Sequence, residues 1–190
     1  MEWVVIGILT IVWGAQIFRR PLLVLYAKRI FLTVVIALIL FLVYSTRQQF
    51  NMWSADGMAQ YLLPPFQAID YFLLYVLFRV WMPYVLSAVA AMLFLWWVHR
   101  YNRRHESKVF YTDEPWIAAS AILLMGWPGL VVYALVMVVL FTTVSLSIQA
   151  ARGRDFRVSP YYFWIPAALF AILISELWLE HTPVWSLLVI

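Results

Sequence analysis

The sequence predicts an all-α fold, a polytopic transmembrane helix bundle with six or seven spans. Of the 190 residues, 66% are apolar and only 12% are charged, whereas roughly a quarter of the residues of a soluble domain carry charge. The apolar residues fall into long runs separated by short basic stretches, and a helix needs about 20 predominantly apolar residues to cross a bilayer. We therefore expect residues 1–190 to form a single transmembrane domain.

Four apolar runs are the clearest spans, because each is bounded by charge or proline and is close to long enough to cross about 30 Å as a helix. They cover residues 3–18, 30–45, 84–98 and 161–179. The first run does not have the pattern of a signal peptide: Glu2 stands where a basic region is usual, and Arg19-Arg20 replaces a small-residue cleavage site. We expect this run to be retained as a span.

The longest apolar stretch, Trp116–Ile148, is too long for one crossing, since it would measure about 50 Å as a single helix. The tetrapeptide Gly126-Trp127-Pro128-Gly129 interrupts it, and Gly and Pro mark turns. We predict a helical hairpin with spans at residues 116–127 and 129–149. The hairpin also satisfies the positive-inside rule, because it places two basic clusters on the cytoplasmic side: Arg103, Arg104 and Lys108, and Arg152, Arg154 and Arg157.

Residues 58–78 decide between six and seven spans. They are apolar but include Pro64-Pro65 and Asp70. They form either a span of their own, closed by a tight turn at Arg79–Pro83, or an interfacial lead-in to one tilted helix. Six spans satisfy the positive-inside rule for every basic cluster, whereas seven leave the basic residues around position 20 on the outside. A family resemblance, given below, favours seven.

The composition excludes several classes of function. The chain has no cysteine, and its three histidines, His99, His105 and His181, form no metal-binding pair. We therefore expect no metal site and no cofactor. The net charge of +4 is concentrated at span ends and forms no continuous basic face, so we expect no nucleic-acid partner.

Aromatic and small residues fit a packed membrane bundle. The chain has eleven Trp and eleven Tyr, and those near the ends of the runs are typical of the aromatic belts at headgroup depth. Trp81, Trp96, Trp164 and Trp178 are among them. The alanine-rich segment Ala118–Ala121 predicts a helix face that other helices approach closely.

The loop Phe110–Trp116 leads directly into the apolar segment Ile117–Trp127, which ends in Gly-Trp. This arrangement resembles that of the type IV prepilin peptidases, membrane aspartyl peptidases in which a GxGD loop opens a short Ala- and Leu-rich helix that ends in a Gly-Trp turn. A long apolar helix, a basic loop and a last helix beginning at Ser159-Pro160 continue the likeness. The resemblance covers roughly Tyr84 to Leu179.

The resemblance implies a pair of catalytic carboxylates. The order of the motif favours Asp113 as the loop acid, whereas counting back from Gly126-Trp127 favours Glu114; Phe110 and Thr112 stand where the family has its glycines. An aspartyl dyad needs two carboxylates within a few ångströms that share one proton.

The second carboxylate of the dyad would be Asp56. Ser45 occupies the place of the family's first aspartate, and Asp56 is the carboxylate that could substitute for it. The catalytic candidates are thus Asp56, Asp113 and Glu114. The alternative is that Asp56 and Asp113 are two solvated loop acids near basic clusters.

The sequence therefore predicts an integral membrane protein similar to prepilin peptidase, with impaired or absent aspartyl-peptidase chemistry. If active, it would be an intramembrane endopeptidase that cleaves leader peptides, without N-methylation, because the family's tetracysteine zinc loop is missing. The alternatives are a non-enzymatic assembly or anchoring subunit, and a small transporter or channel component that uses Asp70, Arg79 and Glu176. Expected partners are membrane lipid and either a prepilin-like single-span peptide or a membrane-complex subunit. The expected location is a prokaryotic cytoplasmic (inner) membrane.

Overall fold

A computed structural model of the chain describes residues 2–18, 20–104, 110–152 and 159–182. These residues form helices and connecting turns with no β-strand among them, which confirms the all-α prediction. The α-helices are α1 (Glu2–Phe18), α2 (Arg20–Ala55), α3 (Ile69–Val76), α4 (Met82–Arg104), α5 (Glu114–Met125), α6 (Gly129–Arg152) and α7 (Trp164–Leu177). A π-helical turn, Leu77–Trp81, joins α3 to α4, and short 3₁₀ turns cover Ala59–Leu62, Pro160–Tyr162 and Leu179–His181.

Four of the described helical segments are long and apolar enough to cross a membrane: Val24–Ala55, Ile69–Arg104, Gly129–Ala151 and Pro160–Leu177. Two apolar helices are shorter, Val5–Phe18 and Glu114–Met125. These helices fit a membrane protein, as the composition predicts. The number of spans, six or seven, stays a prediction.

The structure corrects the interpretation of residues 58–78 and 84–98 as separate spans. Ile69–Arg104 is one continuous helical segment, and the π-helical turn Leu77–Trp81 replaces the tight turn predicted at Arg79–Pro83. A proline lacks an N–H and its ring clashes with the carbonyl four residues earlier. The wider π turn directly before Pro83 lets the helix continue past that residue. The predicted alternative, a lead-in to one long helix, is the arrangement observed.

Helix α5 lies at the centre of the bundle and packs against α2, α4 and α7. Its residues Ala118, Ala119 and Ala121 have no exposed surface, which confirms the predicted close approach of neighbouring helices. Helices α1 and α2 form an antiparallel pair in which Ile8 lies beside Thr33 and Val34. Helix α7 then packs against both α1 and α6.

Two sets of contacts orient the helices. At one end, the Lys28 ammonium lies 5.9 Å from the Trp116 ring centroid and the Phe31 ring lies 5.6 Å from it, so the start of α2 is beside the start of α5. At the other end, the Trp127 N–H donates to the Pro83 carbonyl over 2.9 Å, so the end of α5 is beside the start of α4.

We name the two ends of the bundle after their residues. The "basic end" holds the start of α5 together with Lys28, Arg29, Arg100, Arg103 and Arg104. The "turn end" holds the turn 126–129 between α5 and α6. The other basic residues predicted for that face, Arg19, Lys108, Arg154 and Arg157, lie outside the described residues.

A smaller apolar cluster lies beyond the turn end of the main core. Leu63, Phe72 and Val76 are buried there, and the Trp53 ring lies 5.5 Å from Phe72 and 4.8 Å from Tyr75. This cluster forms where α2 continues past the predicted span. With 36 residues, α2 is about 54 Å long, well above the roughly 30 Å of bilayer hydrocarbon.

The predicted turn at Gly126–Gly129 is confirmed, because α5 ends at Met125 and α6 begins at Gly129. Gly126 has φ 61° and ψ 169°, a region of backbone conformation that is essentially open only to glycine. A Cβ at this position would lie 3.2 Å from Cε1 of Tyr84. Both the backbone and the neighbouring ring therefore require glycine here.

We expect Gly126→Ala to lower the free energy of unfolding by about 1–3 kcal/mol, the usual strain of a residue in a sparsely populated backbone region. The matched control is Gly129→Ala, where an added Cβ meets nothing within 4 Å. Thermal unfolding of the two variants in the same detergent measures the difference. Equal midpoints for the two variants would contradict the assignment of Gly126 as a required glycine.

Candidate functional site: a buried carboxylate pair

Asp113 and Glu114 lie at the start of α5, at the basic end of the bundle. Asp113 is the N-cap and Glu114 is the first helical residue, and their exposed fractions are 2% and 0%. The alternative of a solvated loop acid is therefore wrong for Asp113. Negative charge is favoured at a helix N-terminus by the aligned peptide dipoles, which is one reason that carboxylates are tolerated here.

Both oxygens of the Glu114 carboxylate accept hydrogen bonds. Oε1 accepts from the indole Nε1–H of Trp164 over 2.9 Å, and Oε2 accepts from the backbone N–H of Tyr111 over 3.1 Å. Hydrogen bonds to an ionised acceptor are roughly twice as strong as neutral ones. Glu114 therefore attaches the preceding loop and the first residue of α7 to the start of α5.

The position of Trp164 in the sequence predicts a residue of the aromatic belt, and this prediction is wrong. Only 9% of Trp164 is exposed, and its ring also packs edge-on against Phe94, with centroids 5.3 Å apart. Trp96 and Trp178, by contrast, are exposed, as expected for belt residues. A buried indole needs a partner for its N–H, and Glu114 supplies that partner.

The Asp113 side chain is not accounted for by the fold in the same way. Its Oδ2 is buried and has no hydrogen-bond partner among the described residues, and the side chain makes no N-cap hydrogen bond. Its backbone carbonyl accepts hydrogen bonds from the N–H groups of Trp116 and Ile117. A buried acceptor without a partner costs about 1–3 kcal/mol, and more when it is charged.

Two further polar side chains lie at the basic end, Gln16, which is buried, and Asn102, which is half-buried. The Gln16 amide donates to the Tyr161 carbonyl over 2.5 Å, and the Asn102 amide donates to the Phe110 carbonyl over 3.4 Å. Their amide oxygens, like Oδ2 of Asp113, are buried without a partner in the described part of the chain. The interior of this end is thus rich in acceptors, which suits a donor such as water or a hydroxyl. Sequence reasoning missed both residues, although an isolated Gln in the apolar run of α1 was an available signal.

Asp56 lies in a different place from these carboxylates. It follows the end of α2, is exposed, and its Oδ1 accepts from the N–H groups of Met58 and Ala59 over 2.8 Å each. The hydrogen bonds from the backbone of Ala59 and then of Met58 hold the pKa of this carboxyl below its ordinary value. For Asp56, the alternative of a solvated loop acid is the one observed.

The geometry of α2 separates Asp56 from the buried carboxylates. Phe31 packs on Trp116 beside the start of α5, whereas Asp56 follows directly after Ala55, the last residue of α2. At a rise of 1.5 Å per residue, the helix from Phe31 to Ala55 measures about 36 Å. The structure therefore does not bring Asp56 together with Asp113 or Glu114.

The three residues of the transporter alternative are dispersed along the turn-end helices. Asp70 lies in the first turn of α3 and Arg79 in the π-helical turn, and both are exposed, while Glu176 is half-buried near the end of α7. Asp70 and Arg79 therefore do not line an interior path. In the described part of the chain, no group of three or more His, Cys, Asp or Glu could hold a metal ion.

No protein family, curated protein or solved structure matches this chain. The chemistry of the site must therefore be judged from its own geometry. Oδ2 of Asp113 has no hydrogen bond to Glu114, and both oxygens of Glu114 accept from other donors. The two hydrogen bonds described for Glu114 thus come from Trp164 and Tyr111, whereas the carboxylates of an aspartyl dyad share a proton with each other.

We expect Glu114→Gln to lower the free energy of unfolding by about 1–3 kcal/mol. The substitution removes the negative charge, and it replaces one carboxylate oxygen with an NH₂ group. That group is a donor and would face either the Tyr111 N–H or the Trp164 indole N–H, which are donors themselves. The control is Glu176→Gln, which changes a half-buried acid near the end of α7. Thermal unfolding in detergent, followed by circular dichroism, measures both. If Glu114→Gln is as stable as the control, the carboxylate does not attach these elements to one another.

Proposed function

We propose that this chain is a non-hydrolytic membrane protein that anchors or assembles a larger complex, on a scaffold similar to that of the prepilin peptidases and in a prokaryotic cytoplasmic membrane. The observation that carries the proposal is the separation of Asp56 from Asp113 and Glu114 by about 36 Å of helix. In an aspartyl peptidase, one carboxylate activates water while the other protonates the leaving group, and both act on the same bond.

The contacts of Glu114 also support a structural role. Its two hydrogen bonds, to Trp164 and to the backbone of Tyr111, fix three elements at the basic end. A carboxylate whose two oxygens both accept hydrogen bonds is not suited to exchange protons with a substrate. Each proton transfer would break one of the hydrogen bonds that hold the loop or α7 in place. Burial of both acids, at 2% and 0% exposure, also restricts the access of water to them.

The dimensions of the bundle support anchoring. Helix α2 and the segment Ile69–Arg104 each contain 36 residues, about 54 Å of helix, so both extend beyond the roughly 30 Å of hydrocarbon. Large apolar side chains are about half exposed at the turn end: Tyr61 and Phe66 in the connection between α2 and α3, and Leu73 and Leu74 in α3. If this end of the bundle stands outside the hydrocarbon, such exposed apolar surface is typical of a protein contact site.

The second candidate is peptidase chemistry that uses Asp113. A specific observation favours it: the Oδ2 atom of Asp113 is buried without a partner in the described structure, and unpaired buried carboxylates are concentrated at functional sites. Under this alternative, the partner acid would be the adjacent Glu114, after a rearrangement that frees one of its oxygens.

A cleavage assay separates the two candidates. Membranes that contain the chain are incubated with a prepilin-like single-span peptide that carries a leader, and cleavage is followed on a gel. We expect no cleavage above that of membranes without the chain, and the same result for Asp113→Asn and Asp56→Asn. Cleavage by the wild-type chain that Asp113→Asn abolishes and Asp56→Asn preserves would establish the second candidate and refute the first.

Site-specific photo-crosslinking tests the anchoring role directly. With the crosslinker in place of Leu73, on the exposed turn-end face, we expect one discrete protein adduct in native membranes. The control position is Leu135 on α6, which is 63% exposed and faces the lipid if α6 spans the membrane; it should give lipid adducts only. A chain that gives no protein adduct from Leu73 and is extracted as a monomer would refute the anchoring proposal.

A further inference from the structure

An apolar groove runs along the outside of the bundle between α2 and α4. Its volume is about 180 Å³, and no charged residue lines it. Leu38 contributes to the α2 wall, Ala88 and Met92 to the α4 wall, and Leu123 of α5 forms part of the floor. The groove exists because α2 and α4 both pack on α5, which keeps the two longer helices apart at this level.

The groove is about as long as one leaflet of the bilayer is deep. Its α2 wall runs from Phe31 to Leu42, about 16 Å of helix, and half of a hydrocarbon core of about 30 Å is about 15 Å. At the turn end it is bounded by a contact between the helices, in which the Trp81 indole N–H donates to Oγ1 of Thr46 over 3.1 Å. The α2 wall therefore ends about one helical turn short of this contact, and its length is close to the depth of one leaflet.

Cationic and titratable side chains lie beyond the basic end of both walls: Lys28 lies about 4 Å of helix before Phe31, and His99 and Arg103 lie about 10 and 16 Å of helix after Met92. Lys28 precedes Phe31 by one helical turn, and its ammonium lies over the Trp116 ring. On α4, His99 and Arg103 share the helix face of Met92 at 3.6-residue periodicity. All three are exposed, and none forms an ion pair with an acid that the structure describes.

We propose that the groove binds one acyl chain of an anionic phospholipid from the leaflet at the basic end, with the lipid phosphate between Lys28 and Arg103. The apolar lining matches the chain, the length matches one leaflet, and the exposed cations match the phosphate. A helix of a partner protein is about 10–12 Å across with its side chains, too wide for a groove of this volume. The inference depends on membrane residence and not on the proposed anchoring function.

The headgroup is tested with the full chain in detergent, by native mass spectrometry against phosphatidylglycerol and phosphatidylcholine with the same acyl chains. We expect a preference for phosphatidylglycerol that falls about fivefold for each charge removed in Lys28→Gln and Lys28→Gln/Arg103→Gln. The control is Arg47→Gln, which removes an exposed charge at the turn end and should leave the preference unchanged. Equal binding of the two lipids by the wild-type chain would overturn the proposal.

The acyl chain is tested by filling the groove. Ala88→Phe places a ring in it, whereas Val89→Phe, at the next position, adds a ring to a side chain that is 53% exposed and outside the groove. We expect Ala88→Phe to lose the lipid that co-purifies with the wild-type chain and Val89→Phe to keep it; retention by both would refute the site. If Ala88→Phe fails to fold, the surface variants at Lys28 and Arg103 decide the question. A photo-crosslinker at Met92 that captures a protein in native membranes would also overturn the proposal.

Discussion

The architecture depends on the burial of a short helix. Helix α5 has 12 residues, about 18 Å of helix, which is shorter than the roughly 30 Å of bilayer hydrocarbon, and the residues at both of its ends are buried or half-buried. Backbone groups inside a membrane bundle must find partners within the protein. At the start, the backbone carbonyl of Asp113 accepts two N–H groups, and at the end Gly126 accepts from Leu130 and redirects the chain.

The longer helices are arranged around this buried element. Alanines on α5 allow α2, α4 and α7 to approach closely, and α2 and α4 are kept apart by its width. One buried helix thus explains the polar site at its N-terminus, the glycine turn at its C-terminus and the lipid-sized groove along its side. The carboxylates of Asp113 and Glu114 lie where α5 begins within the apolar interior.

Local signals in the sequence predicted the features that depend on local chemistry. Gly and Pro at 126–129 gave the turn, and the alanines of α5 gave the close packing. The continuous segment Ile69–Arg104 was not predictable in this way. Arg79 and the nearby prolines are a sequence pattern typical of a turn, but the helix continues through them as the π-helical turn Leu77–Trp81. The bond between Trp164 and Glu114 joins residues 50 positions apart, and no periodicity within either helix indicates it.

The location of Asp56 was missed for a related reason. The apolar run of α2 ends near Ser45, so the polar residues after it were interpreted as a loop close to the membrane. In the structure, the helix continues to Ala55 because Phe50 and Trp53 pack on Phe72 of α3. This second contact carries Asp56 far from the interior. The number of residues between two positions does not determine their distance in space unless the ends of the helix between them are known.

The two apolar clusters have a consequence for the way in which the protein opens. The cluster around Phe72 is separate from the main core, and Val80 and Trp81 are the residues that pack against both. Contiguous units with their own contacts open as cooperative subunits, each with its own free energy. We therefore expect the end of α2 and α3 to lose their hydrogen-exchange protection before α5 and its neighbours do.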